Sequence, residues 1–320
     1  ERLNPDTNVV IELGGEDAKI LFLGYICGMF LLGSCYKESD ISPSYLDRNW
    51  YVLEDSENPL DHQRYLVYKE YGIPIFCKDT IGVQDRGVDA FGEPVMYYEV
   101  IDPDYTIETM YKKTRFELSD QENDLMEGVT FIRERIIPEL ISPVLYPRCF
   151  LLVKKVTLSN VSSYEANCFR GMMTTLVSHV EKLKDMSDAE LNRLAIEVVG
   201  EQIGAYLADS CIVELESFIN VSRKEVNPNG SLYAFRLTAG TTPKMAPVAN
   251  YGFLSFDRKE ANNANTCQTV TEQRDVMDYV TEVYMNDDAA FNEKYKDFPY
   301  VLKKYGLMKK VVADMKARLK

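Results

Sequence analysis

Residues 164–186 read YEANCFRGMMTTLVSHVEKLKDM, and the way this stretch is taken decides the architecture of the chain. Phe169, Met172, Leu176, Val180 and Leu183 recur at intervals of three and four, the period of an apolar stripe on one helix face. The spacing predicts a helix from Tyr164 to Met186, with His179 at the edge of the stripe. A helical zinc hydrolase sets two histidines four apart so that both rings point the same way, with a glutamate between them to activate a water. No register around His179 meets that need. With His179 as first ligand, Val180 takes the glutamate place and Leu183 the second histidine; as second ligand, it leaves Thr175 and Leu176 in the first two places. The register Ser178 to Lys182 puts His179 itself where the glutamate belongs. The chain has only 2 histidines, the other being His62 in a polar stretch, so zinc sites that gather several imidazoles are excluded.

Downstream, Ser187-Asp188-Ala189-Glu190 has the form of a capping box and opens a helix expected to reach about Asp209. Asn227-Pro228-Asn229-Gly230 is a turn, 231–238 a short strand and 239–250 a loop rich in Gly, Thr and Pro. A helix over 269–285 carries Val276, Val280 and Val283 on one side. Asp275, Asp278 and Glu282, at i, i+3 and i+7, form what reads as a solvated acidic face opposite. Residues 299–320 close the chain as a helix with a basic end. Upstream, CFLLVKKVTL over 149–158 reads as a buried strand, and 120–140 as an amphipathic helix that Pro138 bends or ends. VMYYEVI over 95–101 is a strand. DHQRYLVYKEY over 61–71 is a helix capped by Gly72, ahead of a strand over 73–78. Together these elements predict one α+β domain over 50–320, mostly helical in its second half.

The first 49 residues read differently. ILFLGYICGMFLLGSC, residues 20–35, is an apolar run behind Lys19 that ends in small residues before Cys35, the form of a secretory lipoprotein signal. It is shorter than the roughly 20 residues that span a bilayer. The expectation is a chain lipidated at Cys35, with 36–49 as a polar tether and the lipid as its membrane attachment. Before the run, Val9-Val10-Ile11 leads into Gly14-Gly15-Glu16-Asp17, a strand entering a glycine turn whose acids could hold a magnesium ion or a phosphate-bound water.

Composition narrows the function classes. With 46% hydrophobic content, 320 residues can bury a proper core, and a net charge of -14 repels phosphate backbones, so no nucleic-acid partner is expected. None of the 7 cysteines forms a C-x-x-C pair, which excludes zinc ribbons and thioredoxin-like motifs. With Cys27 and Cys35 in the signal, Cys77, Cys149, Cys168, Cys211 and Cys267 are expected to be buried small hydrophobes with at best one or two bridges. No G-x-S-x-G, Walker loop or G-x-G-x-x-G occurs. A glycosidase-like carboxylate pair stays open, as does an aromatic platform built from the 21 tyrosines and Trp50.

The order of elements after Cys35 resembles a family of substrate-import-associated zinc metallohydrolase lipoproteins, encoded beside outer-membrane nutrient-uptake systems. The likeness rests on the lipobox, the tether, LDHQRYLVYKEYGIPIFCK over 60–78 and PRCFLLV over 147–153. It continues in Gly252-Phe253-Leu254-Ser255 and in the acidic EQRDVMDYV over 272–280. It implies a zincin-like metallopeptidase-type fold, an outer-membrane lipoprotein in the periplasm or at the surface, and zinc as the family's metal. Because the His-Glu-x-x-His helix is missing, it further implies a degenerate site with His179, Glu181, Asp275 and Asp278 as remnants. No cofactor is then expected, and the chain becomes a non-catalytic binding or accessory protein for an uptake complex or for a polymer or peptide ligand. A working hydrolase of the peptidase class with a site not visible in sequence is the alternative.

Residues 1–19 carry a second resemblance. VVIELGGEDAK is similar to a phosphate-binding hairpin of ATPases that activate 2-hydroxyacyl-CoA dehydratases, which would imply an ATPase activator. The cluster-ligating, glycine-rich segment of those ATPases does not follow, and one hairpin cannot hold a nucleotide. Residues 1–19 are therefore expected to be a foreign or mis-joined fragment.

Overall fold

A computed structural model describes residues 48–103, 113–159, 163–238, 240–241, 247–257 and 266–320. The fragment 1–19, the signal ending at Cys35 and nearly all of the tether lie outside the described residues. Residues Trp50–Lys320 gather into one compact unit of mixed α+β structure.

The helix α1, Pro59–Tyr71, begins where Asn58 accepts a hydrogen bond from the Asp61 amide. It ends at Gly72, whose left-handed backbone (φ 73°) lets its N–H reach the Tyr68 carbonyl. The chain then enters β1, Ile75–Phe76, and a hairpin formed by β2, Thr80–Val88, and β3, Pro94–Val100. Trp50 lies on that hairpin at Gly82, where a Cβ would stand 2.2 Å from the indole ring. After β4, Lys113–Glu117, comes α2, Glu122–Phe131, continued by a π turn over Ile132–Ile136 and a 3₁₀ turn over Ile137–Glu139. That is the helix expected over 120–140, and it loses its α geometry ahead of Pro138.

The strand expected over 149–158 is two strands. β5, Phe150–Leu152, stops at Val153-Lys154, and β6, Lys155–Ser159, joins a separate sheet between β4 and β7, Ser163–Ala166. The predicted helix over 164–186 does not form either. That stretch holds β7, then β8, Cys168–Arg170, then β9, Thr175–Val177, and finally a 3₁₀ turn over Val180–Asp185. Phe169 and Leu176, which helical spacing put on one face, are instead a cross-strand pair of β8 and β9. Two features defeat the helix. Gly171 sits so close to Pro103 that a Cβ would be 2.4 Å from its carbonyl oxygen, and His179 takes a left-handed backbone (φ 65°) that ends any regular element.

β9 completes the central sheet, whose order is β1-β5-β9-β8, with β1, β5 and β9 parallel and β8 antiparallel on the edge. Its middle strands are buried on both faces, as a continuous apolar run requires. Ile75, Phe150, Leu152 and Val177 point into the larger helical core, and Phe76, Leu151 and Leu176 into a smaller one shared with Val156 and Ala166.

The helices follow. α3, Asp188–Ser210, opens with the expected capping box between Ser187 and Glu190. α4, Ile212–Asn220, comes directly after it and continues as a π turn over Val221–Glu225. The turn at 227–230 forms, and a small sheet joins β10, Arg236–Thr238, β12, Thr266–Thr269, and β11, Phe256–Asp257. α5, Glu272–Met285, is capped by Thr271; α6, Asp288–Lys294, and α7, Pro299–Leu319, finish the chain. No helix among the described residues is long and apolar enough to cross a membrane.

Candidate functional site

The site is built where α3 crosses α5. Gly200 and Gly204 of α3 meet Thr281 and Met277 of α5 so closely that a Cβ at position 200 would stand 2.1 Å from Thr281 Oγ1. One at 204 would stand 2.7 Å from the Met277 Cα. Only glycine fits at both places. Of the residues between them, Gln202 is buried and donates from Nε2 to Thr175 Oγ1 at 2.6 Å, which fixes α3 to the end of β9. Ile203 is fully buried, and Glu201 points to the rim of the crossing.

There, Arg274 stands between two carboxylates. Its Nη1 is 2.5 Å from Glu201 Oε1 and its Nε 2.8 Å from Asp278 Oδ1. Ser255 donates to the other oxygen of Asp278. Partial burial lowers the Arg274 pKa, but the two carboxylates outweigh it and hold the guanidinium above the ordinary arginine value. Asp278 keeps little contact with solvent, and it shares the single guanidinium with Glu201, which leaves the trio with one net negative charge.

Gly200-Glu201-Gln202-Ile203-Gly204 places two glycines four residues apart with a glutamate between them, the spacing at which a zinc helix would set its imidazoles. Zinc does not fit these residues. The glycines offer no donor, their neighbours leave no room for a side chain, and Arg274 puts a fixed positive charge against the remaining carboxylates. Among the described residues no group of three His, Cys, Asp or Glu could hold a metal ion. The sequence predicts α3 as a helix but points to His179, not to any residue of α3, as the centre of a site. The signal was a glutamate flanked by glycines four apart within a helix already predicted to be continuous.

His179 lies nearby but not on a helix. Its Nε2 is 2.9 Å from Asn167 Oδ1, and Asn167 Nδ2 donates at 2.5 Å to Glu197, one turn before Glu201 on α3. The Asn167 amide group therefore assigns the ring hydrogen to Nε2. Nδ1 is 3.3 Å from Glu165 Oε1 without hydrogen-bond alignment. Burial, helped by the Lys182 ammonium, lowers the His179 pKa, so the ring is neutral at neutral pH.

The other expected remnants disperse. Glu181 accepts from Ser119 Oγ at 2.9 Å and pairs with Lys154 at 3.1 Å. Asp275 is fully buried and pairs with Lys304 of α7, while Glu282 is partly buried and, by that burial, titrates above the usual carboxylate range. The acidic stripe expected on α5 is thus not a solvated face: its members look into three different environments. Burial also raises the thiol pKa of Cys168, Cys77 and Cys149, which makes none of them a poised nucleophile. Cys77, Cys149, Cys168 and Cys211 stand as thiols. His62 is half-exposed and bound to Asp55 through Nδ1 at 2.6 Å.

Compared with protein-family models, with curated proteins and with solved structures, the chain matches none of them.

Proposed function

We propose that this chain is a cell-envelope lipoprotein whose zincin-like domain has lost its metal centre and works as a non-catalytic accessory protein of an outer-membrane nutrient-uptake system. One observation carries the reading: the glycine-bounded Glu201 at the α3–α5 crossing, with Arg274 clamped between it and Asp278. A guanidinium cannot release and rebind like a metal, nor does it lower the pKa of a bound water to make a nucleophile. The crossing serves structure and leaves the zinc-hydrolase geometry without its reactive part.

An accessory protein needs a surface with which to bind, and the β2–β3 hairpin supplies one. Val88, Phe91, Tyr98 and Val100 are all exposed there, Phe91 to 91% at the hairpin tip, where a monomer gains nothing from them. The net charge of -14 argues against a nucleic-acid partner. Attachment through Cys35 places the domain at a membrane without a spanning helix.

The purified full chain is tested against unstructured peptide substrates with zinc supplied, and cells expressing it are labelled with a palmitate analogue. The proposal expects no hydrolysis above a chelated control, together with a label that disappears in Cys35→Ser. Metal-dependent hydrolysis that Glu201→Gln abolishes would establish the peptidase alternative instead.

A further inference from the structure

The strongest unexplained chemistry lies one turn from the α3–α5 crossing, in the contact between α5 and α7. Asp275 and Lys304 are both fully excluded from solvent, and Lys304 Nζ contacts Asp275 Oδ2 directly. Four aromatic rings enclose the ammonium, with centroids at 4.5 Å (Phe218), 4.9 Å (Phe253), 5.1 Å (Tyr279) and 5.5 Å (Tyr233). Tyr233 donates to Asp275 Oδ2 at 2.7 Å, and Lys304 Nζ donates to Ser222 Oγ at 3.1 Å. Asp275 Oδ1 is buried with no hydrogen-bond partner among the described residues. A fully dry ion pair with an orphan carboxylate oxygen is costly, because neither charge recovers its hydration and one acceptor is left unmade.

We propose that Asp275 and Lys304 join in an intramolecular isopeptide bond that staples α7 to α5. The ammonium first returns a proton to the carboxylate, giving a neutral amine and a neutral acid. The Nζ lone pair then attacks Asp275 Cγ, a proton passes from Nζ to the Oδ1 hydroxyl, the Cγ–Oδ1 bond breaks and water leaves. One ammonium and one carboxylate become one amide and one water, and no oxidant or further reactant is needed. The product suits its surroundings better than the reactants do. Oδ2 becomes the amide oxygen and keeps the hydrogen bond from Tyr233, the remaining N–H keeps Ser222, and the orphan Oδ1 departs.

Three physical terms favour the step. Nζ is held against an oxygen bonded to the carbon it attacks, so the reaction is intramolecular and needs no encounter. Water, the reagent that would reverse the reaction, is excluded by the aromatic wall. Burial also drives both partners toward the neutral forms that react: it raises Asp275 to about 6 against the pull of Lys304, and it lowers Lys304. Tyr233, hydrogen-bonded to Oδ2, polarises the carbonyl under attack.

The test is tryptic mapping of the denatured full chain. Cleavage after Arg274 and Lys303 releases 275–294 and a segment beginning at Lys304. The proposal expects one branched peptide, 275–294 joined to 304–309 and lighter than their sum by one water, with cleavage after Lys304 lost. Lys304→Met and Asp275→Ala each return linear peptides, and Tyr233→Phe lowers the branched fraction in freshly purified protein. Unmodified 275–294 together with free 305–309 from the folded wild-type chain would overturn the proposal, without any variant needing to fold. A water loss confined to 275–294 alone would overturn it as well.

Discussion

Asp275 and Asp278 sit three residues apart on α5, yet they belong to two different kinds of contact. Asp278 lies at the rim of the α3–α5 crossing, where it shares Arg274 with Glu201. Asp275 lies in the α5–α7 contact, in a dry aromatic pocket with Lys304. Arg274 is half-exposed and Lys304 is not exposed at all. Charges at a wet rim arrange a surface, whereas charges removed from water either satisfy each other fully or react. One helix therefore carries a shared arginine–carboxylate cluster on one side and a buried lysine–aspartate junction on the other.

The comparison breaks most sharply at Lys304. Lys304→Met removes the proposed link between α5 and α7 and leaves Asp275 buried without its cation, and it is expected to cost about 3–5 kcal/mol in urea unfolding, the largest single effect in the domain. Next comes the helix crossing itself. Gly204→Ala forces a methyl against the Met277 backbone, and Gly200→Ala forces one against Thr281; each is expected to cost about 1–3 kcal/mol. Thr281→Ala should recover most of the loss at 200 and none at 204, which a double-mutant cycle reads directly.

Arg274→Met should cost less than Lys304→Met. Its guanidinium is half-exposed and screened by solvent, but Glu201 and Asp278 are largely buried and lose their cation, so the loss is expected at about 1–3 kcal/mol. An Arg274 effect equal to that of Lys304 would erase the distinction between the wet rim and the dry junction.

The smallest effect is in pH. Burial holds the His179 pKa below the ordinary imidazole value, so the unfolded chain binds the proton more readily than the folded one. The stability that the neutral ring contributes is complete above about pH 6.5 and is lost as pH falls toward the depressed folded value. Urea midpoints measured from about pH 7.5 down to 5 should show this decline. His179→Asn, which suits the left-handed backbone at φ 65°, should remove the part of the decline that belongs to this ring.

Much of the fold was legible because its signals were local. Gly72 after α1, the Ser187–Glu190 capping box, Pro138 and the turn at 227–230 act within a few residues, and each appears where the spacing places it. Residues 164–186 failed for a physical reason. Three short strands contribute apolar residues whose spacing imitates a helix, and what decides between the two readings is tertiary: the approach of Gly171 to Pro103 and the pairing of β9 with β5. α4 and α6 were passed over because they are short and follow their neighbours almost without a break.

The site was half legible. Asp275 and Asp278 were singled out by their position on an acidic helix, but their separation into two environments depends on α3 and α7, which share no local signal with them. Glu201 is one of many acidic residues in this chain and Arg274 is a cation beside them, so neither stands out in the sequence. Their meaning comes from the glycines that bring α3 against α5.

The proposal that this crossing has lost a metal centre and holds Arg274 between its carboxylates instead is tested most directly by the zinc content of the full chain. After dialysis against zinc and then against metal-free buffer, the account predicts a content far below one zinc per chain, unchanged by Glu201→Gln. One tightly held zinc per chain that is lost with Glu201→Gln or with His179→Ala would contradict it.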